Sequence, residues 1–311
     1  METIERGSAG SARVAIVGGI HGDEPAGERI VRRLADELDE TGAGSGGVRL
    51  IVANEPALAA GTRYTDADLN RVFPGDPDSD EYERALAPRL AAELEGMDAV
   101  LALHTSHSAP PPFAIYSDPT ESVRRSVTGM PVEYVVDSGE LRSTTLDSVV
   151  PHTVSIEVGR QGSEEAVAFG YEACLAFLRA HGALDDEPPT FTETTVVAGD
   201  EEVPKGGGEP RVHFANFEAI PPGSVFAEDD VYTHRVEEEG IVPILASEQG
   251  YEEIFGIYGR VRGVMEPPAS ATDGATATEG SGEEPTERSA EETAKKSTEE
   301  TAESSAEESA E

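Results

Sequence analysis

The chain has 311 residues, long enough to bury a full hydrophobic core and, by length, to hold two domains. Its 62 acidic residues against 23 basic ones give a formal net charge of -39, which argues against nucleic acid or an anionic membrane as partner, because both would be repelled. Only three of the basic residues are lysines, Lys205, Lys295 and Lys296, and this composition suits adaptation to high salt, where self-repulsion is screened within about 3 Å at 1 M.

At the N-terminus no basic segment is followed by an apolar one, and no apolar run reaches 18 residues. Neither a leader nor a spanning helix is expected, and the cytoplasm is the expected location. Short apolar runs bounded by Gly, Asn or His at 14–17, 48–52, 99–103 and 154–158 predict strands. Longer helical patterns at 25–38, 81–94 and 164–180 alternate with them, which predicts an α/β catalytic domain with a largely parallel sheet over residues 1–184. The lone Cys174 excludes an internal disulfide and fits a reducing interior. Its helical spacing with Phe177 and Leu178 reads as core packing, and His181-Gly182 as a helix end.

Residues 185–189, two Asp, a Glu and two Pro, read as a linker. After it, short alternating runs separated by Pro and Gly clusters predict a small β domain, so that the second unit spans 185–265. From 266 to 311 there is no Val, Ile, Leu, Phe or Tyr, and 14 acids face three bases. That stretch cannot bury enough apolar surface to offset ordering and is expected to be a disordered acidic tail.

The residues that carry chemistry stand in four places: His21-Gly22-Asp23-Glu24 after the first apolar run, Asp68-Leu69-Asn70-Arg71, Leu103-His104, and Ile156-Glu157-Val158-Gly159. Two histidines and a carboxylate make a metal site, a second carboxylate can move protons, and an arginine can hold an anion, which together read as a zinc-dependent hydrolase. Pro25 fits the first position of a helix and keeps Glu24 out of the α region, so His21 to Glu24 is expected to be the turn between a strand and a helix. In open α/β sheets that edge is where ligands bind. His104 and Glu157 are expected at the ends of two further strands of the same sheet. Taken singly, each residue has an ordinary alternative: Glu24 as a helix cap, Glu157 as a solvated acid, Arg63 and Arg71 in surface ion pairs with Asp66, Asp68 or Asp76.

Taken together, these stretches resemble the succinylglutamate desuccinylase and aspartoacylase family of zinc amidohydrolases, itself related to zinc carboxypeptidases. The resemblance covers about residues 13–265, and its most specific stretch is Asp68-Leu69-Asn70-Arg71-Val72-Phe73-Pro74-Gly75. It implies a zinc-carboxypeptidase-like α/β fold, with a mixed or largely parallel sheet flanked by helices. It implies that His21, Glu24 and His104 bind one Zn²⁺ per chain, leaving a fourth position for water. His107, three residues after His104, is the competing ligand. By the same resemblance Glu157 is the general base and acid, Arg63 polarises the scissile carbonyl, Asn70 and Arg71 hold a substrate carboxylate, and Tyr251 reaches into the active site.

One position departs from the family's pattern. Members acting on N-acetylaspartate carry an arginine about ten residues before the base; here Asp147 stands there, which argues against N-acetylaspartate as substrate, and the nearest upstream arginine is Arg142. The expected activity is a deacylase cutting the amide of a small carboxylate-bearing N-acyl amino acid or related amide, with a small anionic molecule as partner. The alternatives are a zinc carboxypeptidase acting on peptides and a non-catalytic metal-binding or interaction protein.

Overall fold

The computed structural model describes residues 1–7, 13–41, 47–108, 110–139, 141 and 143–269. The expected acidic tail beyond residue 269, and Arg142, lie outside the described residues. In chain order the first half contains β1 (Glu2–Arg6), β2 (Arg13–Gly18), α1 (Pro25–Thr41), β3 (Gly47–Val52), α2 (Glu55–Ala60), a 3-10 turn (Leu69–Arg71), α3 (Tyr82–Leu94), β4 (Ala99–Ser106) and β5 (Phe113–Tyr116). There follow α4 (Glu121–Gly129), β6 (Tyr134–Asp137), α5 (Leu146–Val149), β7 (Thr153–Arg160) and α6 (Glu164–Ala180). The remainder is β8 (Thr194–Pro204), β9 (Arg211–Val212), β10 (Val225–Glu228), β11 (Thr233–Arg235), β12 (Ile241–Ile244) and β13 (Ile254–Met265).

Ten strands form one sheet in the order β1-β3-β2-β4-β7-β5-β6-β8-β13-β12, and β11-β10-β9 form a second, three-stranded sheet. The large sheet is mixed. Pairings β2 with β3, β2 with β4, β4 with β7, β5 with β6 and β6 with β8 are parallel, whereas β5 runs antiparallel to β7. The reversal has a local cause: residues 107–112 are too few for the crossover a parallel return needs, which takes roughly a dozen residues. Beyond the 185–189 stretch, β8 pairs with β6 over residues 195–198 and with β13 along its length, so the large sheet runs on into the C-terminal half of the chain.

The central strands are buried on both faces and read as continuous apolar runs. Along β2, Val14 and Ile16 pack with Ile30, Val31 and Leu34 of α1 and with Cys174, Phe177 and Leu178 of α6. The intervening Ala15 and Val17 pack with Leu86, Leu90 and Leu94 of α3 and with Leu146 at the start of α5. Helix α6 begins where Ser163 accepts a hydrogen bond from the Ala166 N–H, with Glu164 and Glu165 at its positive end, and just beyond its last residue Gly182 takes a φ of +67°. No helix among the described residues is long and apolar enough to cross a membrane.

Strands β4 and β7 run further than their apolar runs suggest. His104 and Glu157 lie inside them rather than after them, because Thr105, Ser106 and Val158 stay buried and keep the ladder going. Glu157, expected at the end of its strand, is instead followed by three further strand residues.

Candidate metal centre and active site

Alternation along the strands fixes which way the site faces. On β4, Leu101 and Leu103 point to the α1/α6 layer and Val100 and Ala102 to the α3 layer, so His104 shares the α3 side. On β7, Val154, Ile156 and Val158 point to the α1/α6 layer, so Ser155 and Glu157 share the side of His104. The register pairs His104 directly with Glu157. Both side chains are buried.

The third contributor is the turn after β2. Gly19 takes a φ of +67°, and Gly22 donates its N–H to the Arg63 carbonyl at 3.2 Å. A Cβ on Gly22 would lie 2.0 Å from the backbone of Ala57, so only glycine lets α2 pack against this turn. The turn presents His21 and Glu24 to His104.

There the Nδ1 of His21 lies 2.8 Å from Glu24 Oε1, and the Nδ1 of His104 lies 3.5 Å from Glu24 Oε2. The Thr105 N–H donates to Glu24 Oε2 at 2.8 Å. Asp68 Oδ1 sits 3.0 Å from the Nε2 of His21, and Arg63 bridges the two acids, donating from Nε to Asp68 Oδ2 at 2.9 Å and from Nη1 to Glu24 Oε1 at 3.2 Å. Burial alone would push the His21 imidazolium down, but the carboxylates of Glu24 and Asp68 outweigh it and raise His21 to about 8. Burial would likewise raise Glu24 and Asp68, yet His21 and the other cations beside them hold both carboxyls well below the usual range.

The long loop between α2 and α3 carries Arg63, Asp68, Asn70 and Arg71, and one residue on α3 organises it. Glu83 is fully buried; its Oε1 accepts from Asn54 Nδ2, the Thr65 N–H and the Thr65 hydroxyl, and its Oε2 from the N–H groups of Asp66 and Ala67. Burial raises this carboxyl, but the converging donors win and hold it at about 2. Glu83 is not marked by the sequence as part of the site, and Asp68 is given no role of its own there beyond a surface ion pair with Arg63 or Arg71. Nothing in the order of residues distinguishes Glu83 from the many solvated acids of the chain, whereas Asp68 stands within the Asp-Leu-Asn-Arg stretch.

The triad opens into a cavity of about 80 Å³ lined by Arg63, Asn70, Arg71, Asp147, Glu157 and Tyr251, among others. Asn70 uses its Oδ1 to accept the Leu146 N–H at 2.9 Å, which ties the Asn70-Arg71 turn to α5. Arg71 donates from Nη1 to the Asn70 carbonyl. His107 also lines the cavity but is exposed and outside the triad. Tyr251 sits on a loop whose backbone is gripped by Lys205, the Nζ of which donates to the carbonyls of Glu248 at 2.8 Å and Tyr251 at 2.6 Å.

His21, Glu24 and His104 offer ligand atoms that all lie within 4.8 Å of one another. Three donors at about 2.0 to 2.1 Å from a tetrahedral zinc would sit roughly 3.4 Å apart, a spacing the 2.8 and 3.5 Å separations bracket. Two imidazoles and a carboxylate are the donor set of a catalytic zinc. The residues present therefore fit a metal ion.

Comparison with known proteins supplies the family and the fold. The sequence matches the Succinylglutamate desuccinylase/Aspartoacylase catalytic domain over residues 11–179. It is 29% identical over 283 residues to a succinylglutamate desuccinylase of Burkholderia cenocepacia, covering 76% of this chain and 78% of that one. It is also 29% identical over 202 residues to an N-alpha-acetyl-L-2,4-diaminobutyric acid deacetylase of Halomonas elongata, covering 59% of this chain and 58% of that one. In fold it resembles the crystal structure of a succinylglutamate desuccinylase/aspartoacylase from Rhodobacter sphaeroides, with a TM-score of 0.67 at 21% identity over 84% of this chain and 88% of that one. With the family match spanning more than half of its length, the chain belongs to the succinylglutamate desuccinylase/aspartoacylase catalytic-domain family.

Proposed function

We propose that the protein is a zinc-dependent deacylase that hydrolyses the amide bond of a small, carboxylate-bearing N-acyl amino acid. The observation that carries this reading is the buried His21, Glu24 and His104 triad with Glu157 in register beside His104. The relatives' names, a desuccinylase and a deacetylase of acylated amino acids, support the reaction class. They differ in the amino acid, glutamate in one and diaminobutyrate in the other, and so leave the side chain open.

His21, Glu24 and His104 would hold the zinc ion. Bound there, it would supply the positive charge that lowers the pKa of water towards about 7 and polarises an acyl oxygen. Glu157 takes the proton from the attacking water on its carboxylate and returns it to the amine nitrogen as the C–N bond breaks. Arg63, on the same cavity wall, stabilises negative charge on the carbonyl oxygen, and its pairing with Glu24 and Asp68 holds the guanidinium in place. Arg71 and the amide of Asn70 hold the substrate carboxylate, and Tyr251 lines the same cavity. A cytoplasmic location belongs to the same reading.

The test is a hydrolysis screen of zinc-loaded protein in high salt against N-acyl amino acids and short peptides, with metal content measured on the wild type, His21→Ala and His104→Ala. We expect one zinc per chain, lost in both variants, and hydrolysis of N-acyl amino acids. Cleavage confined to peptides would make the protein a carboxypeptidase, and bound zinc without any hydrolysis would leave a metal-binding protein.

A further inference from the structure

Asp147 is a carboxylate in an unusual position. It is nine-tenths buried, at the second residue of α5, and faces the same cavity as Glu157 and Arg71. Its partners are two hydroxyls: Ser117 Oγ donates to Oδ2 at 2.8 Å and Ser155 Oγ to Oδ1 at 3.1 Å. No described residue forms an ion pair with it. An acid this buried is seldom left with neutral donors alone, because removing a carboxylate from water is repaid by a counter-charge. A buried carboxylate with no counter-ion among the described residues thus lines the cavity, where a bound cation could supply one.

Its place relative to the reaction is set by the strand. Ser155 and Glu157 alternate on one face of β7, about 7 Å apart at the usual rise per residue. Asp147, bonded to Ser155, is thus tied to the face of β7 that carries Glu157. On its other flank, the hydrogen bond from Leu146 N–H to Asn70 locks the start of α5 to the Asn70-Arg71 turn. An anion holder and an anion are therefore built into one wall, as a zwitterion requires. An acidic side chain would meet Asp147 with like charge.

We propose that Asp147 binds the side-chain ammonium of the substrate, so that the amide hydrolysed belongs to an Nα-acyl amino acid of basic side chain, its α-carboxylate held at Arg71. This inference rests on the deacylase reading and names its substrate class. A desolvated charge-assisted hydrogen bond of this kind is worth roughly 10- to 100-fold in discrimination.

The experiment compares kcat/KM of the zinc-loaded wild type on Nα-acetyl-L-2,4-diaminobutyrate and Nα-acetyl-L-ornithine with their neutral isosteres, Nα-acetyl-L-norvaline and Nα-acetyl-L-norleucine, and with Nα-acetyl-L-glutamate. The basic substrates should lead their isosteres by about 10- to 100-fold and lead the acidic one by more. In Asp147→Asn, which keeps the shape and loses the charge, that lead should collapse. Ser117→Ala, which keeps the charge, should retain it. Equal rates on basic and neutral substrates in the wild type would overturn the assignment while leaving the deacylase reading intact, as would equal losses on both classes in Asp147→Asn. Calorimetric binding of the same compounds separates the two readings from the other side: no hydrolysis but tighter binding of the basic compounds would remove the deacylase and keep the Asp147 site.

Discussion

His21 is gripped through both ring nitrogens, and this decides what it can offer a metal. Asp68 accepts from the Nε2–H, so a metal would displace the Nδ1 proton now shared with Glu24 and take the lone pair on the side of Glu24 and His104. Arg63 holds Asp68 in turn, so the orientation of a single imidazole depends on a carboxylate and a guanidinium that would not touch the metal. Asp68→Asn should therefore weaken zinc affinity by roughly 10- to 100-fold, read by competition with a chelator. Glu157→Gln should do the opposite, keeping zinc while lowering kcat by about 10²- to 10⁴-fold. Unchanged zinc affinity in the first variant would remove Asp68 from the centre, and wild-type turnover in the second would remove Glu157 as the base.

At the scale of elements, the loop bearing Arg63, Asp68 and Arg71 is irregular, yet its start is held as firmly as a helix end. The two oxygens of Glu83 accept three backbone N–H groups, one hydroxyl and one amide from Asn54 and residues 65–67. Glu83→Gln keeps the volume but offers one acceptor oxygen in place of two, leaving buried donors unsatisfied. It should cost about 2 to 4 kcal/mol in denaturant unfolding at pH 7 and lower kcat/KM through the displaced loop. Because the folded carboxyl is held near 2 against 4.5 unfolded, its stabilisation is complete above pH 4.5 and declines as pH falls towards 2. The gap between wild type and variant should therefore narrow between pH 4.5 and 3, and a gap that stays constant there would show that the charge is not what matters.

The same loop shows where reading from sequence stops. Strands β2, β3, β4 and β7 and helices α1, α3 and α6 are legible because their apolar residues repeat at the spacing of the element. Strand β1 has one large apolar residue, Ile4, and gains its place by pairing with β3. Strands β5 and β6 are four residues each, too short for a period to show. His21, Glu24, His104 and Glu157 are legible as motifs, and the structure brings them together. What no local pattern carries is the register that sets His104 beside Glu157 and the fold of the loop around Glu83, since both depend on contacts between residues far apart in the chain.

For the molecule as a whole, charge sets the working conditions. A net charge of -39 opposes compaction at every step, and salt relieves it: the screening length falls from about 10 Å at 0.1 M to about 3 Å at 1 M. Close pairs such as Arg63 with Asp68 are part-buried and feel this less. Raising KCl across that range should raise Tm, and a gain of about 2 kcal/mol would appear as roughly 4 to 8 °C for a fold of this size. A Tm that is flat or falls with KCl would mean that self-repulsion does not limit stability.

The scarcity of lysine has a chemical corollary. Lys205 is the sole lysine before residue 295, and burial pushes its ammonium pKa down, which favours the reactive free amine. Apart from the N-terminal amine, an acylating or carbamylating reagent thus meets a single primary amine among the described residues, and that nitrogen grips the carbonyls of Glu248 and of Tyr251, which lines the cavity. Modification there would remove the charge that pins the Tyr251 loop. The protein thereby carries a built-in covalent labelling point on the loop that brings Tyr251 to the candidate site, where a reporter group can be attached without engineering a cysteine.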